Sequence, residues 1–164
     1  MVYTLGKIIG RGSDGVVYEL KEDEKSNKVI KFIQGENFGI KNYIEYYILY
    51  NLNPDYITSA LNIEIEDSGL LKIVQERALM DLKKYITVKK LTLKEKKEII
   101  FKIVESVNYL HSKNILHGDL KPSNILVFDE KKIKLSDFNL SKLIISDSTE
   151  NKKFYTLNFR PPEI

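Results

Sequence analysis

The chain has 164 residues, 43% of them hydrophobic and 30% charged, the balance of an ordinary soluble globular protein with one domain or two small lobes around a cleft. It has no cysteine, which excludes disulfides, thiolate metal sites and a cysteine nucleophile; no apolar run approaches the ~20 residues that cross a bilayer, and Met1–Lys7 has no secretory h-region. The net charge of +3 lies on scattered lysines, with Arg11, Arg77 and Arg160 the only arginines, and Leu91, Thr92, Leu93 and Glu95 interrupt the Lys89–Lys97 cluster, so a nucleic-acid stripe is not expected.

In chain order, Thr4–Ile9, Val16–Leu20 and Lys28–Ile33 carry the β-branched and aromatic residues of strands around tight glycine turns. A helix is predicted over Lys41–Leu52, where Glu45, Ile48, Leu49 and Leu52 share one face and Asn53-Pro54 ends it. Ile63–Glu66 and Leu70–Gln75 form a hairpin around Asp67-Ser68-Gly69, and Glu76–Leu79 is a connector. A short helix around Asp81–Ile86 follows. Thr92-Leu93-Lys94-Glu95 is a capping box, and Ile99, Ile100, Ile103, Val104, Val107 and Leu110 draw an apolar stripe behind it. Phe101 widens that stripe beyond what one neighbouring helix and short strands can cover, so an exposed apolar patch is expected. Two strands, Ile125–Phe128 and Lys132–Leu135, complete an α+β pattern with strands first and helices later.

Three motifs carry chemistry. Gly10-Arg11-Gly12-Ser13-Asp14-Gly15-Val16-Val17 spaces glycines so that backbone N–H groups can approach phosphates, although a tight hairpin explains the glycines equally well. A second strand follows this loop, whereas a dinucleotide fingerprint would run into a helix. In Val29-Ile30-Lys31 a lysine leaves an apolar strand, while Glu45 is the wrong charge for a buried helix face unless it is paired. The most specific motif is His117-Gly118-Asp119-Leu120-Lys121-Pro122-Ser123-Asn124, with Asp137-Phe138-Asn139 eighteen positions after Asp119. One carboxylate can accept a hydroxyl proton; Asn124 and Asp137 add two oxygen ligands for Mg²⁺.

In these motifs and their order the chain resembles eukaryotic-type protein kinases from Leu5 to Ile164. Arg160-Pro161-Pro162-Glu163 is similar to that family's Ala-Pro-Glu motif, and Lys121-Pro122 points to the serine/threonine class. Asp81-Leu82-Lys83-Lys84 and Thr156-Leu157-Asn158-Phe159-Arg160 are similar to cyclin-dependent kinase relatives. The resemblance implies an α+β, kinase-like two-lobe fold: a β-rich N-lobe about 1–76 with one helix, a hinge about 76–79, and a partial helical C-lobe about 80–164, cut off after the Ala-Pro-Glu-like motif. It implies ATP-dependent phosphoryl transfer to protein hydroxyls.

The resemblance also implies residue roles. Lys31, oriented by Glu45, would hold the α- and β-phosphates, and Asn124 and Asp137 would bind Mg²⁺. Asp119 would deprotonate the substrate hydroxyl, Lys121 would offset charge on the transferred group, and Thr156 would brace both. ATP would lie against Gly10, Gly12 and Gly15, its adenine between Ile9, Val17 and Val29 above and Leu126 below. The backbone of Glu76 and Ala78 would hydrogen-bond the base, with Gln75 at the back. Expected partners are a protein substrate and an activating or stabilising protein, with no nucleic acid or membrane; the expected location is intracellular, cytoplasmic or nuclear.

Four departures stand out. Gly118 replaces the usual arginine, so Ser146, Ser148 and Thr149 lack the guanidinium that would read a phosphate there. Asn139 replaces a glycine, and asparagine tolerates left-handed backbone. Val29 replaces an alanine and narrows the adenine site. The family's later helices are absent, which supports the alternative of a catalytically weak kinase-like binding module. A small-molecule kinase would share the Asp119 to Asn124 loop, but Lys121-Pro122 and Pro162-Glu163 speak against it.

Overall fold

A computed structural model describes residues 3–12, 15–21, 27–33 and 40–144 of the chain. Strands β1 (Leu5–Gly12), β2 (Gly15–Leu20) and β3 (Lys28–Ile33) are followed by helix α1 (Ile40–Asn51) and strands β4 (Ala60–Ile65) and β5 (Leu71–Glu76). The five strands make one antiparallel sheet in the order β1-β2-β3-β5-β4. β1 runs on through Gly12, beyond the predicted end at Ile9, because Gly10, Arg11 and Gly12 pair with Val17, Val16 and Gly15. Glycine is required at one end of this hairpin: Gly15 has φ +153, and a Cβ there would lie 2.0 Å from the Phe32 carbonyl oxygen.

The register sorts the sheet into two faces. Val17 lies across from Lys31, Lys31 from Ile73, and Val29 from Gln75, so these side chains share one face. The opposite face carries Tyr18, Ile30 and Val74 in register. There Leu20, Ile30 and Val74 are buried with Tyr18 and Phe32 against them, the last two edge to face at 5.5 Å.

Helix α1 turns its one apolar face inward, with Glu45, Ile48 and Leu49 buried and Leu52 buried just past its end. Its other side shows Tyr43, Tyr47 and Tyr50 to solvent, and Tyr46 stacks between Tyr43 and Tyr50. Each fully buried aliphatic side chain contributes about 1.5–3 kcal/mol, so this face holds the helix to the sheet.

The second half is helical with short strands: β6 (Met80–Asp81), α2 (Leu82–Val88), α3 (Leu93–Ser112), β7 (Ile115–Leu116), a 3-10 turn Pro122–Asn124, β8 (Ile125–Val127), β9 (Ile133–Leu135) and β10 (Lys142–Leu143). β6, β8 and β9 form a three-stranded sheet, and β7 pairs with β10. One core joins both halves, from Ile33, Ile48 and Ile73 to Leu110, Leu135 and Phe138. Helix α3 buries Ile99, Ser106 and Leu110 but leaves Ile100, Phe101 and Val104 exposed, so the predicted stripe divides into a covered row and an open one. No helix among the described residues is long and apolar enough to cross a membrane.

The capping box starts α3. The Thr92 hydroxyl accepts from the Glu95 N–H, and the Glu95 carboxylate accepts from the Thr92 N–H at 2.8 Å. The Thr92 backbone and hydroxyl, with Lys89 beside them, hold the Glu95 carboxyl down at about 2. A carboxyl depressed in the folded state stabilises above its unfolded value, and the effect is lost as pH falls through the folded one. Glu95→Gln is therefore expected to lower the melting temperature at about pH 7, with the gap to the unaltered chain closing between about pH 4.5 and 2. A gap of equal size at the acid end would show that the charge does not tie this cap.

Candidate active site

Four segments bring polar groups together between the large sheet and the helical half. Lys31 leaves β3 on the face it shares with Val17, and its Nζ lies 3.0 Å from Glu45 Oε1 and 3.5 Å from Asp137 Oδ1. Glu45 is 3% exposed, a charge that is tolerated in the core because an ammonium meets it. The loop after β7 supplies Asp119, whose Oδ2 accepts from Lys121 Nζ at 2.5 Å and from Asn124 Nδ2 at 2.9 Å. Asn124 Nδ2 also donates to the Asp119 carbonyl at 3.0 Å. The Ser136 N–H and hydroxyl both donate to the Asn124 carbonyl, at 2.9 and 3.0 Å. This binds the Asp119 loop to the segment that carries Asp137.

A buried histidine holds the same loop from beneath. His117 Nε2 is 3.0 Å from the Ser136 carbonyl oxygen and its Nδ1 accepts the Asp119 N–H at 3.3 Å, the pattern of a neutral ring protonated on Nε2. Burial pushes its pKa below the usual imidazole value. Ser141 closes the other side, its hydroxyl donating to the His117 carbonyl at 2.9 Å. Neither Ser136 nor Ser141 carries a signal in the sequence, since a serine beside a motif is more often a turn residue.

Gly118 has φ +80, and a Cβ on it would lie 2.1 Å from the Leu140 carbonyl oxygen. The residue that resembles a replaced arginine is thus one that the backbone here requires to be glycine. The left-handed residue in the Asp-Phe-Asn segment is Asp137, at φ 65, whereas Asn139 is not among the positive-φ residues. The tolerance of asparagine for left-handed backbone is therefore not called on at Asn139. Its side chain is engaged instead: Nδ2 donates to Asp137 Oδ1 at 2.8 Å.

The donor set suits a hard cation. Both hydrogen bonds of the buried Asn124 amide leave from Nδ2, and both contacts to Asp137 fall on Oδ1. Asn124 Oδ1 and Asp137 Oδ2 therefore accept no hydrogen bond from the described residues. Among those residues no group of three or more His, Cys, Asp or Glu gathers for a metal. Two oxygens that must be completed by water and phosphate match what Mg²⁺ takes.

The connector pairs the backbone donors on either side of Ala78. The Arg77 N–H donates to the Asn27 carbonyl at 2.8 Å and the Leu79 N–H to the Val127 carbonyl at 2.9 Å; the Ala78 N–H between them has no hydrogen-bond partner among the described residues. The Glu76 side chain turns to Lys132 and Lys134, at 3.1 and 3.2 Å, which hold its carboxyl below the usual range. Leu126, half-buried in β8, stands across from Asp81 and Lys134. Ile9 sits at a register shift in β1 and is 41% exposed. Gly10 lies across from Val17 and Gly12 from Gly15.

Thr156, the Arg160 to Glu163 motif, Ser13, Asp14, Ser146, Ser148 and Thr149 lie outside the described residues. An apolar hollow of about 330 Å³ is lined by Leu5, Gly15, Val16, Tyr18, Phe32 and Leu70. It includes the sheet residues opposite the Lys31 face and no ionisable acid or base apart from Tyr18, so it is not where this chemistry gathers.

The α+β fold is that of a protein kinase. The chain matches the protein kinase domain family over residues 3–164 and belongs to it. It is similar to a probable cell division protein kinase of Encephalitozoon cuniculi, 36% identical over 167 residues that cover 99% of this chain and 62% of the relative. Cyclin-dependent kinase 1 of the same organism is 33% identical over 168 residues, covering 95% of this chain and 56% of the relative. A probable CTD kinase subunit alpha homolog, also from that organism, is 29% identical over 166 residues, covering 100% of this chain and 50% of the relative. The chain thus spans between half and about 62% of the length of these relatives.

Proposed function

We propose that this chain transfers the γ-phosphoryl group of ATP to serine or threonine hydroxyls of protein substrates. The observation that carries the proposal is that Lys31 reaches both Glu45 and Asp137, while Ser136, next to Asp137, is bonded to Asn124 of the Asp119, Lys121 and Asn124 cluster. Bound Mg·ATP would supply the phosphoryl group and a cation to offset its charge.

The chain's own residues supply position and electrostatics. Glu45 fixes the Lys31 ammonium, which holds the α- and β-phosphates, while Asn124 and Asp137 present oxygens to Mg²⁺. Asp119 orients the substrate hydroxyl and accepts its proton, Lys121 offsets charge on the phosphoryl group, and Thr156 would brace both, a role that rests on the family resemblance alone. The backbone of Gly10, Gly12 and Gly15 covers the phosphates. Ile9, Val17, Val29 and Leu126 enclose adenine, which the Glu76 carbonyl and the Ala78 N–H hold at its edge. Serine/threonine specificity rests on Lys121-Pro122 and on the names of the relatives.

In this proposal an N-lobe about 1–76 and a second lobe about 80–164 meet at the hinge about 76–79. The enzyme acts in the cytoplasm or nucleus. A protein partner is part of it, since one relative is named cyclin-dependent and another a kinase subunit. Tyr43, Tyr47 and Tyr50 are exposed on the helix that also carries Glu45, so contact there would act on the Lys31 pairing.

Saturating ATP is expected to raise the melting temperature only when Mg²⁺ is present, with a stabilisation of about 2.7 kcal/mol at a hundredfold excess over Kd. The check is thermal unfolding with ATP alone, Mg²⁺ alone and both. An unchanged midpoint with both present would count against the proposal.

A further inference from the structure

We propose that Asn139 is a positioning residue for the metal-binding carboxylate, holding Asp137 through a side-chain hydrogen bond that a glycine at this place could not make. This rests on the kinase reading and goes one step beyond it. Among the described residues Asp137 Oδ1 takes two contacts: Asn139 Nδ2 at 2.8 Å and Lys31 Nζ at 3.5 Å. The amide contact is of ordinary hydrogen-bond length, whereas the ammonium contact is at the outer limit. Asn139 is therefore the nearer of the two groups that set the direction of this carboxylate. With Asp137 at φ 65, the side chain two residues on folds back over it and the pair forms a small closed turn.

The consequence is a division of labour. A neutral amide on Oδ1 orients the carboxylate without cancelling its charge, so Oδ2 stays available to a cation. Without that amide the carboxylate is drawn to Lys31, which would take an oxygen from the metal and the ammonium from the phosphates. Partners that orient a metal ligand commonly matter by about 10–100-fold in metal affinity, and Asn139 occupies that place here. Its side chain makes no hydrogen bond to β3 or to the Asp119 loop, since its only one among the described residues goes to Asp137.

The test separates metal binding from nucleotide binding and from folding. Mn²⁺, followed by electron paramagnetic resonance, is titrated into the full chain with a non-hydrolysable ATP analogue, for the unaltered chain, Asn139→Leu and Asn139→Ala. Both variants are expected to bind Mn²⁺ about 10-fold or more weakly, with metal-free nucleotide affinity and the metal-free melting temperature unchanged. Mn²⁺ affinity equal to that of the unaltered chain in either folded variant would overturn the inference. So would a loss that merely follows a fall in melting temperature and nucleotide affinity, since Asn139 would then only support the fold. If the unaltered chain itself bound no Mn²⁺ with the analogue, the kinase reading would fail and the inference with it.

Discussion

Asp119→Asn is expected to lower the rate of phosphoryl transfer to a serine peptide by roughly 10²–10⁴-fold, the usual range for a positioned acid or base, while Mg·ATP still binds. The asparagine keeps the shape of a side chain that is 9% exposed and can still accept from Asn124 Nδ2, now 2.9 Å from Oδ2. It cannot take up a proton. The groups proposed to hold the nucleotide, Lys31 and the connector at Glu76 and Ala78, are left as they are. Initial rates and calorimetric titration on the same preparations separate the two effects. Equal turnover in the variant would remove Asp119 from its role, and parallel loss of nucleotide affinity would show that it acts through the shape of the site.

Restoring the family's arginine at Gly118 is expected to damage the protein. With φ +80 and the Leu140 carbonyl oxygen 2.1 Å from where a Cβ would stand, any side chain drives the turn at 138–141 away from the Asp119 loop. A non-glycine residue in left-handed backbone costs about 1–3 kcal/mol, and a steric conflict with backbone adds to it, so Gly118→Ala and Gly118→Arg should each lose at least about 2 kcal/mol. The same turn carries Asn139 and leads from Asp137, and Ser141 at its end bonds the His117 carbonyl. Metal affinity should therefore fall with stability. Denaturant titration of both variants decides the matter. Unaltered midpoints would mean that the turn yields easily and that the glycine is incidental.

Local signals in the sequence were strong where one residue type has one physical use. Thr92 and Glu95 announce a helix start because each satisfies an orphan backbone donor. Glu45 among Ile48, Leu49 and Leu52 announces a partner because an unpaired buried carboxylate is costly. The strand Lys28–Ile33 is bounded by its own β-branched run. Elsewhere pairing decided the outcome. β1 continues to Gly12 because β2 offers it a ladder, and β6 is two residues long and exists through its pairing with β8, too short for any periodicity to show. The close approach of Gly118 to Leu140 and the amide that Asn139 extends to Asp137 depend on where two turns meet. No spacing in the chain encodes that meeting.

One cleft is proposed both to hold Mg·ATP and to pass its terminal phosphoryl group to a protein hydroxyl. The measurement that meets it most directly is incubation of the purified chain with γ-labelled ATP, Mg²⁺ and a mixed serine, threonine and tyrosine peptide pool, followed by phosphoamino-acid analysis. Label is expected on serine or threonine, dependent on Mg²⁺ and lost with Asp119→Asn. Saturating Mg·ATP binding with no label on any peptide or on the chain itself would contradict it and leave a nucleotide-binding module in its place.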